Sequence, residues 1–539
     1  YPDGLLARLA ASGVDGVWLQ AVLYKLAPFP WDSGLSEGHE TRLASLRKLC
    51  RRARKHGIGV YMYLNEPRSM PTEFFEGHPE LLGIAEGGYG TLCTSLPEVR
   101  DYVRDGIAHV CGEVPELRGW FSITASENLT SCWSHHRGAN CPRCKEREPA
   151  EVIAEINGVF LEGIRQAQSD AELICWDWGW RDDWAPAAIE ALPDGVSFQS
   201  VSEWSIPIKR GGVDSVVGEY SISEVGPGPR ATRHWRIARE RGLKTIAKIQ
   251  AGCTWELSAV PYIPAVANVA QHAANLRDAG VEGLMAGWTL GGYPSPNLDV
   301  VAEMGRGEPT VDEAMLAVAE RRFGRALAPH VVDAWRGFST AFSEFPFHIG
   351  LVYSGPQQMG PANLLYGSPT GYNATMVGIP YDDLNRWRAV YPPDVFIGQF
   401  EKVAQGFDSA VRELRRAGRG LESSHVEKQA LADEITVASA CTLHFRSVAD
   451  QARFIVARDA LAGAATAEEA GALIAELAVL LEREIDSARA LCALQAGDSR
   501  IGYEASNQYY YVSVDLAEKV LSCRDLLGRW LPAQREKWD

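Results

Sequence analysis

The stretch ITASENLTSCWSHHRGANCPRCKE (123–146) joins one glutamate to a loop that holds three cysteines and two histidines. Glu127 ends an apolar run, so its carboxyl group is placed where burial raises proton affinity, as a general acid requires. Cys132, Cys141 and Cys144 read C-x8-C-x2-C, with His135 and His136 inside the longer spacing. Zinc takes four tetrahedral nitrogen or sulfur ligands in structural sites, and the three cysteines with His136 meet that number; His135 or Cys93 is the alternative fourth ligand. A closed site of this kind leaves no position for water, so the metal is expected to brace the loop while Glu127 does the chemistry. The bland alternative is three thiols without a metal.

Other segments repeat the association of acids with aromatics. Asn65 and Glu66, Asn128, Asp177 with Trp178 and Trp180, Glu203 with Trp204, Trp255 with Glu256, and Trp288 with Tyr293 all follow short apolar runs. Tryptophan is costly to expose, yet its flat face stacks on the C–H face of a sugar ring while carboxylates accept hydroxyl hydrogen bonds. Glycoside cleavage needs two carboxyl groups, one to protonate the leaving oxygen and one to attack the anomeric carbon or activate water. Glu127 is expected as the acid/base and Glu256 as the nucleophile. Glu66, Asp177 and Glu203 stand in reserve among the expected substrate-binding residues, with Asn128, Trp178, Trp255, Trp288 and Tyr293. A separation of about 5 to 5.5 Å between the two carboxyl groups means retention, and about 6.5 to 9.5 Å means inversion. The structural alternative for Glu256 is a brace of the loop before Pro261.

The elements that must position these residues alternate short β-branched or aromatic runs with helical periodicity up to about residue 305, which predicts βα units around a parallel sheet. Seven runs qualify: 13–20, 57–65, 117–126, 172–180, 195–204, 243–250 and 282–290. An eighth strand is expected either from GTLCTS (90–95) or from a segment upstream of Tyr1, which makes 117–126 the fourth strand and 243–250 the seventh. The expected fold is α/β, a (β/α)8 TIM barrel over 1–305 with its site at the strand carboxyl ends, followed by a mainly α-helical domain over 306–539. A Gly/Pro/Tyr-rich interval, 349–393, predicts a long ordered loop inside the helical part. The aromatic run EASNQYYY (504–511) is expected at the barrel mouth or at an interface between copies of the chain, with a packed surface loop as the equal alternative.

Bulk composition narrows the function. The chain has 539 residues, 46% of them hydrophobic and 23% charged, with a formal net charge of -16. That balance leaves no basic footprint for nucleic acid; RKLCRRARK (47–55) reads as a solvated helix face. No apolar window is long enough for a membrane helix, and no charged-then-apolar leader opens the sequence, although a start at Tyr1 leaves room for one upstream. Eleven scattered cysteines suit a reducing compartment, so a cytoplasmic location is expected. Phosphate loops, dinucleotide fingerprints and a G-x-S-x-G elbow are missing from the sequence, so no organic cofactor is expected. A zinc deaminase would pair H-x-E with P-C-x-x-C, but His78-Pro79-Glu80 lies far from Cys141-Pro142-Arg143-Cys144, and the proline falls inside the knuckle.

On these motifs the chain resembles bacterial (β/α)8 glycoside hydrolases. YPDGLLARLAASGVDGVWL, ASEN, TWELSAVPYIP and GWTLGGYPSPN are similar to uncharacterised relatives of the β-N-acetylhexosaminidases, and the two glutamates resemble those of the retaining β-glycosidase clan. The resemblance implies a glycosidase that removes a β-linked hexose or N-acetylhexosamine in exo fashion. Family 20 hexosaminidases carry an Asp-Glu pair where this chain has Ser126-Glu127, so substrate-assisted catalysis loses its usual support unless Asp177 or Glu203 supplies the carboxylate. Two other classes remain: a carbohydrate-binding barrel without catalysis, and a metal-dependent hydrolase.

Overall fold

The computed structural model describes the chain from Tyr1 to Trp538 apart from Glu127, Thr289, residues 374–377, Glu422 and residues 505–507. Strands β1 (Gly16–Gln20) and β2 (Gly59–Leu64) begin a parallel sheet. β3 (Met70–Pro71), β4 (Leu82–Glu86) and β5 (Tyr89–Leu92) form a separate antiparallel sheet in the order β3-β5-β4. The parallel sheet resumes with β6 (Gly119–Ile123), β7 (Glu172–Trp176) and β8 (Ser197–Val201). After an antiparallel ribbon of β9 (Pro207–Arg210) and β10 (Val213–Val216), it ends with β11 (Lys244–Lys248) and β12 (Gly283–Met285). The seven parallel strands run in the order β1-β2-β6-β7-β8-β11-β12, with helices between them in the sequence.

All seven expected runs supply a strand of this sheet. Every residue of β6 and of β8 is buried, and β6 reads as a near-continuous apolar run (GWFSI), whereas β8 (SFQSV) buries polar Ser197, Gln199 and Ser200. Tyr63 stacks on Phe121 at 5.3 Å across the β2–β6 pair. Gly119 opens β6 because a Cβ there would come within 2.7 Å of the Tyr61 ring and 2.8 Å of the Glu172 carbonyl.

GTLCTS does not join the parallel sheet; its first residues lie in β5. Glu86 pairs with Tyr89 across Gly87 and Gly88, whose φ angles of 59° and 82° close a tight two-residue hairpin turn. Only glycine adopts two successive left-handed residues without strain, so EGGY commits the segment to a local hairpin. Among the described residues β2 therefore pairs directly with β6, making the strand before Glu127 third of seven and β11 sixth.

The compact units do not divide at residue 305. One comprises Tyr1–Ser202, Pro229–Lys248 and Ala279–Leu284; the other comprises Glu203–Gly228, Ile249–Asp278 and Met285–Asp539. The second unit gathers the segments after β8, β11 and β12 with the long helices because buried polar bonds tie them together. Glu434 accepts the Tyr262 hydroxyl at 2.5 Å and the Trp335 indole N–H at 2.7 Å, and Asn268 Nδ2 reaches toward Ser343 Oγ at 3.3 Å. Its helices include Val311–Phe323 and His425–Ala462, each opened by a capping box, Thr310 with Glu313 and Ser424 with Glu427. Phe338, Phe342, Phe400, Phe407 and Phe445 form an aromatic core between helices of this unit. The interval 349–393 contains short helices at Ile349–Val352, Gly355–Met359 and Leu384–Trp387. In the run 504–511, residues 505–507 lie outside the described residues and Tyr511 is buried. No described helix is long and apolar enough to cross a membrane.

A buried ionic cluster supports the long helices. Lys519 Nζ lies 2.7 Å from Glu484 Oε2, which also accepts Ser447 Oγ at 2.8 Å, and Arg483 Nη2 lies 2.7 Å from Asp450 Oδ1. Burial first, and Glu484 second, push the Asp450 carboxyl from its ordinary 3.8 up to about 7, against Arg483 and Arg446. Between those pH values the native chain holds a proton that the unfolded chain has released, so this group's contribution to stability falls as pH rises through the window. The thermal midpoint of Asp450→Asn relative to the unsubstituted protein is therefore expected to climb from about pH 4 to about pH 7 and then level off. Differential scanning calorimetry across that range checks it; a pH-independent difference contradicts it.

Candidate functional site

In the first unit, the segments after β2, β6 and β7 are fixed by their own polar side chains. Asn65 Nδ2 donates to the Ile123 carbonyl at 2.9 Å and to Ser126 Oγ at 3.3 Å. Ser126 Oγ also accepts the Asn128 amide at 3.2 Å. Glu127 itself lies outside the described residues. Glu66 is buried and accepts the backbone amides of Leu23 and Arg68, each at 2.7 Å; burial pushes its carboxyl up to about 7 against those bonds. Both oxygens are therefore engaged in bracing neighbouring loops.

Asp177 is fully buried. Its Oδ2 accepts Ser200 Oγ at 2.8 Å, Arg230 Nη1 at 2.7 Å and His234 Nδ1 at 2.7 Å. Burial works to raise its pKa, but the Arg230 charge and the bonds from His234 and Ser200 outweigh it and hold the carboxyl below its usual range. Arg230 also donates to the Trp180 carbonyl at 2.9 Å and to Asp182 at 2.8 Å. The group therefore ties the β7 end to the helix Pro229–Glu240. Arg230 and His234 were not singled out from the sequence; their i,i+4 spacing on a helical run was the available signal.

In the second unit, Glu256 is fully enclosed. Its carboxylate accepts Ser221 Oγ at 2.7 Å, Ser223 Oγ at 2.5 Å, Thr254 Oγ1 at 2.7 Å, the Ile222 amide at 2.7 Å and the Ser223 amide at 3.2 Å. Burial raises its pKa, while the Ile222 amide and these hydroxyls pull it back. A carboxylate has about four lone-pair directions, so five donors leave none for an anomeric carbon. Five donors thus converge on the Glu256 carboxylate, an arrangement that suits the alternative role of a loop brace. The donors Ser221 and Ser223 lie more than thirty residues upstream and carry no motif of their own.

Glu203 lies with Oε1 3.8 Å from Nδ1 of His272, an imidazole that burial pushes down to about 3 and so keeps neutral. Glu219, not singled out from the sequence, retains 8% of its surface and accepts the Tyr353 hydroxyl on Oε2 at 2.8 Å. The Tyr353 ring lies 5.4 Å from that of Trp255. Tyr293 is engaged by Arg500, which donates to its hydroxyl at 2.7 Å and lies over its ring at 4.8 Å. Trp178 in the first unit and Trp204, Trp255 and Trp288 in the second are half-buried, whereas Trp120, Trp176, Trp235, Trp335 and Trp387 are fully buried.

The cysteine loop assembles differently from its expected ligand set. Sγ atoms of Cys93, Cys132, Cys141 and Cys144 all lie within 4.8 Å of one another, and all four residues are buried. Cys93, one residue past β5, takes the corner assigned to His136. His136 is exposed, and its ring packs 6.1 Å from Trp184. His135 pairs with Glu86 at 3.4 Å. Ile84, Leu129, Leu96 and Trp133 enclose the sulfurs in an apolar shell.

No family model matches this sequence, and no curated protein matches it. Solved structures do. The GH138 enzyme targeting pectin rhamnogalacturonan II superposes with a TM-score of 0.51 at 11% identity, over 98% of this chain and 64% of that one. A GH89 enzyme from Clostridium perfringens, solved with its substrate GlcNAc-alpha-1,4-galactose, superposes with a TM-score of 0.55 at 13% identity, over 98% of this chain and 60% of that one. The chain thus spans less than two thirds of the length of each. At these identities the likeness is one of fold: the chain is similar in fold to glycoside hydrolases.

Proposed function

We propose that this chain is a glycoside hydrolase that removes a terminal β-linked hexose or N-acetylhexosamine from a glycan or glycoside, with retention of configuration. The observation that carries the reading is the set of half-buried tryptophans, Trp178, Trp204, Trp255 and Trp288, each on a segment that follows a strand of the parallel sheet. A flat ring left part-exposed in this way offers a stacking face for a sugar. Glu127 is the acid/base: it protonates the leaving oxygen, then takes a proton from the water that hydrolyses the glycosyl-enzyme. Its neighbour Ser126 is bonded to Asn65 and Asn128.

For the nucleophile we place Glu219 ahead of Glu256. The Tyr353 hydroxyl donates to Glu219 and orients it, and Trp255 against Tyr353 sets an indole near that bond. Glu203 is the reserve. The alternative of substrate-assisted catalysis would draw on Asp177, whose Oδ2 is held by Arg230, His234 and Ser200. A second reading, an α-linked N-acetylhexosamine, is favoured by the fold shared with the GH89 enzyme solved with GlcNAc-alpha-1,4-galactose.

A panel of α- and β-linked nitrophenyl hexosides and N-acetylhexosaminides tests the activity. Turnover of one member is expected, with kcat lowered about a hundredfold or more in Glu127→Gln. Sugar binding without turnover points instead to a carbohydrate-binding protein, and unchanged turnover in Glu127→Gln removes that residue from the mechanism. Glu219→Gln is expected to lose kcat while keeping its melting temperature. Glu256→Gln is expected to melt several degrees lower, because it puts an amide among donors aimed at a carboxylate. A Glu256→Gln protein of full thermal stability and no activity would return the nucleophile's role to Glu256.

A further inference from the structure

We propose that Cys93, Cys132, Cys141 and Cys144 hold one zinc ion in a closed tetrathiolate site that ties the β4–β5 hairpin to the loop following Glu127. Cys93 Sγ lies 3.7 Å from Cys141 Sγ and 3.7 Å from Cys144 Sγ. A tetrahedron with Zn–S bonds of about 2.3 Å has edges of about 3.8 Å, so these separations are those of sulfurs around one ion. They are far beyond a disulfide bond of about 2.0 Å, and all four cysteines are free.

The surroundings are arranged for anionic sulfur. Thr91 Oγ1 lies 3.4 Å from Cys132 Sγ and Ser95 Oγ lies 3.3 Å from Cys144 Sγ. The Arg143 side chain adds a positive charge beside Cys93, offsetting the net negative charge of one divalent ion with four thiolates. Gly83 completes the cradle, since a Cβ there would come within 2.3 Å of Cys132 Sγ and 2.4 Å of Thr91 Oγ1.

Four protein ligands leave no open position, so the ion positions the chain and activates no water. It joins Cys93, one residue past β5, to three cysteines of the segment that begins five residues after Glu127. This assignment concerns the cysteines alone and stands or falls separately from the proposed activity.

Metal analysis of the full chain, purified under reducing conditions without added metal or chelator, tests it. About one zinc per chain is expected, released by an organomercurial and detected with a chromogenic chelator. Exchange for cobalt is expected to give strong thiolate-to-metal charge transfer and the visible bands of a tetrahedral four-sulfur site. His136→Ala is expected to keep the full zinc content, and Cys93→Ser to lose most of it. Since Cys93→Ser can fail to fold, the cobalt spectrum of the unsubstituted chain and the zinc content of His136→Ala decide independently. Absence of zinc together with no uptake by the reduced protein, iron in place of zinc, a spectrum with a nitrogen ligand, or zinc lost in His136→Ala would overturn the assignment.

Discussion

A carboxylate taken out of water must be met by donors or surrender its charge, and that requirement sorts the acids that follow the strands of this protein. Asp177 meets it with a guanidinium, an imidazole and a hydroxyl on one oxygen. Glu256 meets it with three hydroxyls and two amides, and Glu66 with two amides. These bonds hold the loops that carry the acids. Glu219, bonded by the Tyr353 hydroxyl beside Trp255, is the acid we propose as nucleophile.

The same economy of polar groups explains how the two units are built. Polar side chains buried along the strands need partners, as Ser200 of β8 finds in Asp177, and further acids gather where the strands end. There they do two kinds of work: some cross-link successive segments within a unit, as Asn65 does to Ile123 and Ser126, and some remain for ligands. The aromatic residues divide in parallel fashion. Trp120 and Trp176 lie within β6 and β7 and are fully buried, while Trp178 and Trp204 lie beyond strand ends and keep part of their surface.

What the sequence made legible was local. Seven runs rich in β-branched and aromatic residues marked the seven strands of the parallel sheet, even where, as in β1 and β12, the strand is only partly buried. GTLCTS carried the same composition, but the preceding EGGY turned it back on β4, and a hairpin turn outweighs strand propensity in choosing a partner. The C-x2-C knuckle announced a thiol cluster. Its fourth member, Cys93, comes from that same hairpin, thirty-nine residues before Cys132, and only the folded hairpin brings them together. Glu256 could be read as an acid beside a tryptophan, but its donors Ser221 and Ser223 come from a different connection, so its saturation was invisible until the chain was folded.

The central claim is that Glu219, beside Tyr353 and Trp255, is the nucleophile. Incubating the protein with a slow fluorosugar substrate, then mapping the labelled peptide by mass spectrometry, tests this most directly, because a retaining enzyme leaves the sugar on the residue that attacks. One sugar attached at Glu219 is the predicted result. A label on Glu256, Asp177 or Glu66 would contradict the account.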